Sequence, residues 1–446
     1  MNQNTKETKP NFDTLRIVFT EQQERSKTVP KKKRSKELLA SQVSELARKY
    51  ESMEKTGEPF GTIVIAEKGQ KLASQGKDII FCAESIISTR VPDVVLDETA
   101  NTFRQSAVGQ EAPFLGIPEL RQLIATRFER LYGQKVNWEN EVIITSGSMQ
   151  SEYYLMAALL NPGDEVIIPT PTFFFDIPVH LARGRSVFYR LNPKKNYLHE
   201  KASIAKLITR KTKMITLCNP HNPTGRVLTE DELSGIAELA RKHDLLIMHD
   251  QVYERMVYDE RPYVPMCKYS EVRDRLISIS SFSKLFNMIN YRLGYSIAPK
   301  EIIRGMELVH GFSSMGIPSL IQRGAVAALD PNYEERHLSE TIAKLQKARD
   351  YAVEKLGSVE GITLAKPEGT NLILPNISAF GMSSMAFCNY LLEEAGVACA
   401  PGVAYHAEGQ VRISLGTERI EEAIDRIVGA VSKLEPKMSA RSVKRK

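Results

Sequence analysis

Ser281-Phe282-Ser283-Lys284-Leu285-Phe286-Asn287-Met288-Ile289-Asn290-Tyr291-Arg292-Leu293-Gly294-Tyr295 sets one lysine among hydroxyls, with an arginine eight residues further on. The residues before it, Arg275-Leu276-Ile277-Ser278-Ile279-Ser280, alternate apolar and polar as a half-buried strand does, and the run from Arg292 to Pro299 reads as a second strand. Lys284 is therefore predicted on a loop between two strands. In that position its amine can form an imine with an aldehyde, provided desolvation and nearby positive charge keep it partly deprotonated. Arg292 supplies such a charge, and its planar fork suits a phosphate. Taken alone, a lysine followed by an arginine also describes a solvated loop, so the surrounding segments carry the decision.

Upstream, Cys218-Asn219-Pro220-His221-Asn222-Pro223-Thr224-Gly225 follows the apolar run Met214-Ile215-Thr216-Leu217. Its prolines and glycine predict a rigid turn at the end of a strand, able to hold the Asn222 amide as a donor. Thr229-Glu230-Asp231-Glu232, leading into Leu233, Ile236 and Leu239, has the pattern of a capping box, so this loop feeds a helix. Leu245-Leu246-Ile247-Met248-His249-Asp250-Gln251-Val252-Tyr253 reads as a buried strand closed by a carboxylate, which must find a partner. Val142-Ile143-Ile144-Thr145-Ser146-Gly147-Ser148-Met149-Gln150 is a strand entering a helix over Ser151 to Met156 through a small-residue turn. Exposed amides at such a helix start, with the helix dipole, form a phosphate cradle. Near the C-terminus, Gln410-Val411-Arg412-Ile413-Ser414-Leu415-Gly416 alternates as a strand before a helix that begins near Thr417.

Taken in this order, the segments resemble the class I and II aminotransferases, the pyridoxal-phosphate enzymes of fold type I, over most of the chain. The resemblance implies a cofactor, pyridoxal 5'-phosphate, held by Lys284 and cradled at its phosphate by the amides of Gly147, Ser148 and Met149 together with Ser281 and Arg292. It implies that Asp250 meets the protonated ring nitrogen, with a structural salt bridge as the alternative partner. Asn222 and Tyr253 would meet the phenolic oxygen, and one ring of Phe173-Phe174-Phe175, by gapless matching Phe173, would stack on the cofactor. Arg412 would grip the substrate α-carboxylate, although a structural ion pair is also open to an arginine on a half-buried strand. The activity implied is transfer of an amino group between an L-amino acid and a 2-oxo acid, with Lys284, Asp250 and Tyr253 as the catalytic set. A symmetric homodimer with shared sites is implied as well.

Several positions depart from the family pattern. Where the family has Gly-x-Pro lining the substrate pocket, a gapless reading gives Ser85-Ile86-Ile87. Glu111 or its neighbours stand where a tyrosine often reaches the partner's phosphate. Asn371-Leu372 replaces an aromatic pair near the carboxylate anchor, so Ser85 and Asn371 join Arg412 and Asn222 as expected substrate contacts. Asn287 and Asn290 take places where glycine is common, and asparagine tolerates left-handed backbone best among the other residues. These changes keep open a second outcome, an enzyme of amino-acid-derived natural product biosynthesis that uses the same stabilised carbanion for elimination, cyclisation, decarboxylation or oxidation. A ligand sensor would need a fused DNA-binding domain, and the first 60 residues are too short and polar for a winged helix.

Composition agrees with this reading. At 446 residues, 42% hydrophobic and 26% charged, the chain can bury a large core. No apolar run approaches membrane-spanning length and the N-terminus is not signal-like. Cys82, Cys218, Cys267, Cys388 and Cys399 are odd in number and lack metal-type spacing, which suggests reduced thiols in the cytoplasm. The net charge of +6 concentrates in Lys31-Lys32-Lys33-Arg34 and Lys444-Arg445-Lys446, read as solvated tails, so nucleic acid is not an expected partner. Residues 1–59 read as a polar extension with one helix over about 35–55, residues 60–110 and 325–435 as a smaller α+β domain, residues 111–324 as a large α/β domain, and residues 436–446 as a basic tail. Alternating strands and helices predict a mostly parallel sheet covered on both faces, seven-stranded by resemblance. Gln75 to Ile80 is taken as the first strand of the small domain, and a long helix is expected around 336–356.

Overall fold

The computed structural model describes residues 60–87, 90–105 and 112–436. The helix expected over 35–55, the two basic runs and Glu111 lie outside these residues.

The strands are β1 (Ile80–Phe81), β2 (Val142–Thr145), β3 (Glu165–Thr170), β4 (Arg185–Arg190), β5 (Thr212–Cys218), β6 (Leu246–Asp250), β7 (Leu276–Ser281), β8 (Gly294–Ile297), β9 (Leu372–Ile373), β10 (Val397–Ala398), β11 (Ala400–Pro401) and β12 (Val411–Ser414). Seven of them form one sheet in the order β2-β8-β7-β6-β5-β3-β4. All neighbours run parallel except β8, which is antiparallel to both β2 and β7. Parallel neighbours need a crossover, whereas β7 and β8 are joined directly by the segment that carries Lys284, which is why this one strand reverses. Both faces of the sheet are covered, so β2, β3 and β7 are buried along their whole length.

Among the helices, five bear on the site: α1 (Gly61–Ser74), α2 (Gly147–Leu159), α3 (Glu230–Lys242), α4 (Phe282–Leu285) and α5 (Pro331–Gly357). The capping box of α3 is formed as the sequence implied: Thr229 accepts from the Glu232 amide, and Glu232 reaches back to the Thr229 amide. Such a cap contributes about 1 kcal/mol. Its Leu233, Ile236, Leu239 and Ala240 are buried, fixing the β5-α3-β6 crossover against the sheet. The long α5 starts earlier than expected, at Pro331, because Asp330 caps it by accepting from Tyr333 and proline suits the first turn.

Two small sheets complete the fold, β1 with β10 in parallel, and β11-β12-β9 in antiparallel order. The expected first strand, Gln75 to Ile80, is corrected: α1 fills residues 61–74, Gly76 turns the chain at φ 85°, and pairing begins only at Ile80. The apolar positions of residues 61–74 serve a helix that packs beside β11 and β10, a face the sequence reading did not separate. Among the described residues no helix is long and apolar enough to cross a membrane.

Candidate active site

The register of the large sheet aligns the ends of its strands. Thr145 pairs with Gly294, and Gly294 with Ser281, so the start of α2, the segment before β8 and the lysine turn meet side by side. Cys218 pairs with Asp250 one strand further along. The crevice at these carboxyl ends is where open α/β sheets bind ligands. A cavity of ≈ 590 Å³ lies there, and its wall includes Ser85, Ser148, Met149, Phe173, Asn222 and Asp250. Tyr253, Ser281, Lys284, Arg292 and Arg412 share the same wall.

Lys284 sits on the single turn of α4 rather than on an irregular loop. Ser281 caps that turn by accepting from the Ser283 amide (3.1 Å). The lysine amine donates to the carbonyl of Ser85. Burial, then Arg412, then Arg292 lower its pKa to about 7. Half of it is therefore neutral near pH 7, the state an amine nucleophile or base requires. Sequence reasoning named Arg292 as the neighbouring charge, and the fold adds Arg412 as the stronger one.

Arg292 is the correction to the expected second strand, which begins only at Gly294. Arg292 precedes it in left-handed backbone, φ 49°. That geometry sends the guanidinium across Gly147, where a Cβ would stand 2.7 Å from Nη2. Glycine is required at Gly147 on two counts, this contact and a φ of 74°. Helix α2 begins at Gly147, four residues before the expected start, so Gly147, Ser148 and Met149 occupy its first turn, and no side chain caps it. First-turn amides have no partner within a helix and are free to bind an anion.

Asp250 is buried at the end of β6. One of its oxygens accepts from the Val252 amide (3.0 Å). Burial raises its pKa to about 6 despite that bond and the nearby Cys218 thiol and Lys284 amine, which favour the anion. No salt bridge holds it among the described residues, so the structural alternative for this aspartate is not realised. Behind it on α2 lies Glu152, 2% exposed, its carboxyl pushed far up by burial and by Asp250. Sequence reasoning missed Glu152, although a glutamate beside the apolar Tyr154, Leu155 and Met156 was the signal.

Arg412 on β12 is 2% exposed. It donates to the Ala83 carbonyl (2.7 Å) and the Asn222 side-chain oxygen (3.3 Å), and lies over the Tyr405 ring at 4.4 Å. Its Nε has no partner, and no carboxylate pairs with it among the described residues. Tyr405, also missed in the sequence, is linked to Thr62 of α1 (2.8 Å), which closes that side of the cavity. Of the phenylalanine run, Phe175 enters the core at 1% exposed while Phe173 and Phe174 both reach the cavity, 4.5 Å apart.

Ser85 stands on the cavity wall, its hydroxyl 2.8 Å from Tyr253 Oη and donating to Asn371 Oδ1 (2.7 Å). Asn371 itself, expected at the substrate, is fully enclosed and does not line the cavity. Its amide is spent on the Ile86 carbonyl (3.1 Å) and Ser414 Oγ (3.0 Å). It therefore positions Ser85 from behind.

A fold of this order, with a half-buried lysine, a buried aspartate and arginines without carboxylate partners at the strand ends, suits an enzyme that handles anionic amino compounds. The family description "Aminotransferase class I and II" matches residues 83–427. An aspartate aminotransferase of Pyrococcus horikoshii is 34% identical over 72% of this chain and 82% of its own length. A probable aspartate/prephenate aminotransferase of Aquifex aeolicus is 30% identical over 89% of this chain and 99% of its own. Among solved structures, the aspartate aminotransferase of Thermus thermophilus with maleate superposes with a TM-score of 0.81, at 27% identity, over 88% of this chain and 99% of that one. The chain belongs to the class I and II aminotransferases. It is an α/β protein of fold type I that transfers an amino group between an amino acid and an oxo acid.

Proposed function

We propose that this aminotransferase works with pyridoxal 5'-phosphate bound in the cavity at the strand ends. The observation that carries the reading is the convergence of Lys284, Arg292 and Arg412 on one cavity without a carboxylate partner among the described residues. The walls fit the group: Gly147 leaves room that a Cβ would fill, and the first-turn amides of α2 and Arg292 suit a phosphate. Buried Asp250 suits a protonated ring nitrogen, whose positive charge would hold the carboxylate ionised. Asn222 and Tyr253 would meet the phenolic oxygen, Phe173 or Phe174 would cover the ring, and Ser281 would support the phosphate end. When bound, pyridoxal phosphate supplies an aldehyde carbon for an amine and a conjugated ring that stabilises negative charge at the substrate α-carbon.

Lys284 would hold the cofactor through Nζ, and its neutral amine, once released, would take the proton from the substrate α-carbon and deliver it to the former aldehyde carbon. Arg412 orients the substrate by its α-carboxylate, with Asn222 completing that contact. Ser85 shares the Tyr253 hydroxyl and sets the floor of the substrate side. Apolar side chains left exposed, among them Phe103 at 64%, Met315 at 56% and Phe312 at 92%, support association of two copies into a dimer. The five cysteines, all unpaired, are in keeping with a reducing cytoplasm.

The test is a panel of L-amino acids mixed with the purified holoenzyme in the absence of any oxo acid, with cofactor absorbance and product followed together. One equivalent of oxo acid per site, then arrest until an oxo acid is added, is the expected result. Continued turnover without an acceptor would overturn transamination at this site.

A further inference from the structure

The roles above use every cation on the cavity wall. Lys284 and Arg292 serve the cofactor and Arg412 the α-carboxylate, which leaves no guanidinium or ammonium among the described wall residues for a second carboxylate. The unused polar capacity of the wall is instead that of an acceptor.

Glu84 lines the cavity, and its carboxylate has no ion pair among the described residues. It stands between Ala83, whose carbonyl holds Arg412, and Ser85, whose carbonyl holds Lys284. The chain alternates here, with Ala83 and Ser85 buried and Glu84 turned to the open side. Its charge is felt at Lys284, where it counters part of the lowering of the amine's pKa. Asn287, also on the wall and 8% exposed, has a side-chain oxygen without a partner. Ile63, Ile86 and Val91 offer apolar surface between these acceptors and the deeper site. An unneutralised carboxylate beside the positions of the reacting amine and α-carboxylate repels an acidic side chain and attracts a basic one.

We propose that Glu84 selects amino donors with a cationic side chain, an ammonium or guanidinium on an aliphatic stem, over dicarboxylic amino acids. The inference rests on the aminotransferase reading and deepens it by naming the donor. It separates this chain from relatives whose names specify aspartate.

The test compares L-arginine, L-lysine, L-ornithine, L-leucine, L-aspartate and L-glutamate as donors to the holoenzyme in single turnover, monitored by cofactor absorbance. The best donor is expected to be cationic, with kcat/KM at least tenfold above those of L-aspartate and L-glutamate. Glu84→Gln is expected to reduce the ratio of cationic to L-leucine kcat/KM at least tenfold, mainly through KM, and Glu84→Lys to move the preference towards L-aspartate. A neutral or acidic best donor in the wild type, or a Glu84→Gln loss that is equal for L-arginine and L-leucine, overturns the inference while the aminotransferase reading stands. Absence of any spectral change with all six donors overturns that reading and the inference together.

Discussion

Arg127 and Arg412 are almost equally enclosed, yet carboxylates surround the first and none meets the second. Arg127 pairs with Glu254 at 2.6 Å and Glu334 at 2.7 Å, each about 1% exposed at its side chain, and Arg130 and Arg255 add further contacts to Glu334. Arg412 has only a carbonyl, an amide oxygen and the face of an aromatic ring. A buried charge without a counter-ion is costly. The Arg127 cluster avoids that cost within the chain and ties α5 to the loop after β6. The cavity leaves the cost standing at Arg412, which is sensible only where an anion is brought from outside. The difference teaches that burial does not separate a structural arginine from a functional one, whereas its partners do.

Three experiments break or sharpen this contrast. The largest effect belongs to Lys284→Ala, where loss of the base should lower kcat by about a thousandfold or more and abolish the visible absorbance of the lysine-bound cofactor. If that absorbance survived, another lysine would be the anchor. Next, Arg127→Leu strands Glu254 and Glu334 and should cost about 3–5 kcal/mol of folding stability in denaturant melts of the apoprotein. Arg412→Leu strands only neutral acceptors, so its cost should be smaller, about 1–3 kcal/mol, while kcat/KM falls roughly thirtyfold or more through loss of a charge-assisted contact. Equal destabilisation by the two substitutions would erase the distinction between the regions.

The smallest effect is a pH dependence. The amine of Lys284 reacts when neutral, and its pKa of about 7 means that the neutral fraction grows as pH rises through that value. Uptake of pyridoxal phosphate by the apoprotein should therefore accelerate up to tenfold per unit below pH 7 and level off above it. Arg412→Leu removes the main charge that lowers this pKa, so the midpoint should move upwards. A rate still climbing at pH 9 in the wild type would show that the lysine is not desolvated as described.

Much of the site was legible because its chemistry needs rare combinations at strand ends. Asp250 closing β6, the Asn222 turn and the Arg412 strand all lie where local pattern put them. The misses have physical causes. Periodicity failed for Gln75 to Ile80 because Gly76 turns the chain after a helix there, and for Arg292 because its left-handed backbone takes it out of the strand that begins at Gly294. Asn371 read as a pocket residue from its position beside the anchor, but its three side-chain hydrogen bonds are all to protein, which no linear pattern reveals. Glu84 and Glu152 were not singled out in the sequence, because what distinguishes them is their place beside the cavity.

The sequence by itself determined the alternation of elements and the family, since these depend on apolar period, turn residues and the order of a few motifs. Only the tertiary structure decided which charges remain unpaired. Pairing is a property of distance between segments remote in the chain, such as Glu84, Asp250 and Arg412, and it is that unbalanced charge on the cavity wall that bears on the choice of substrate.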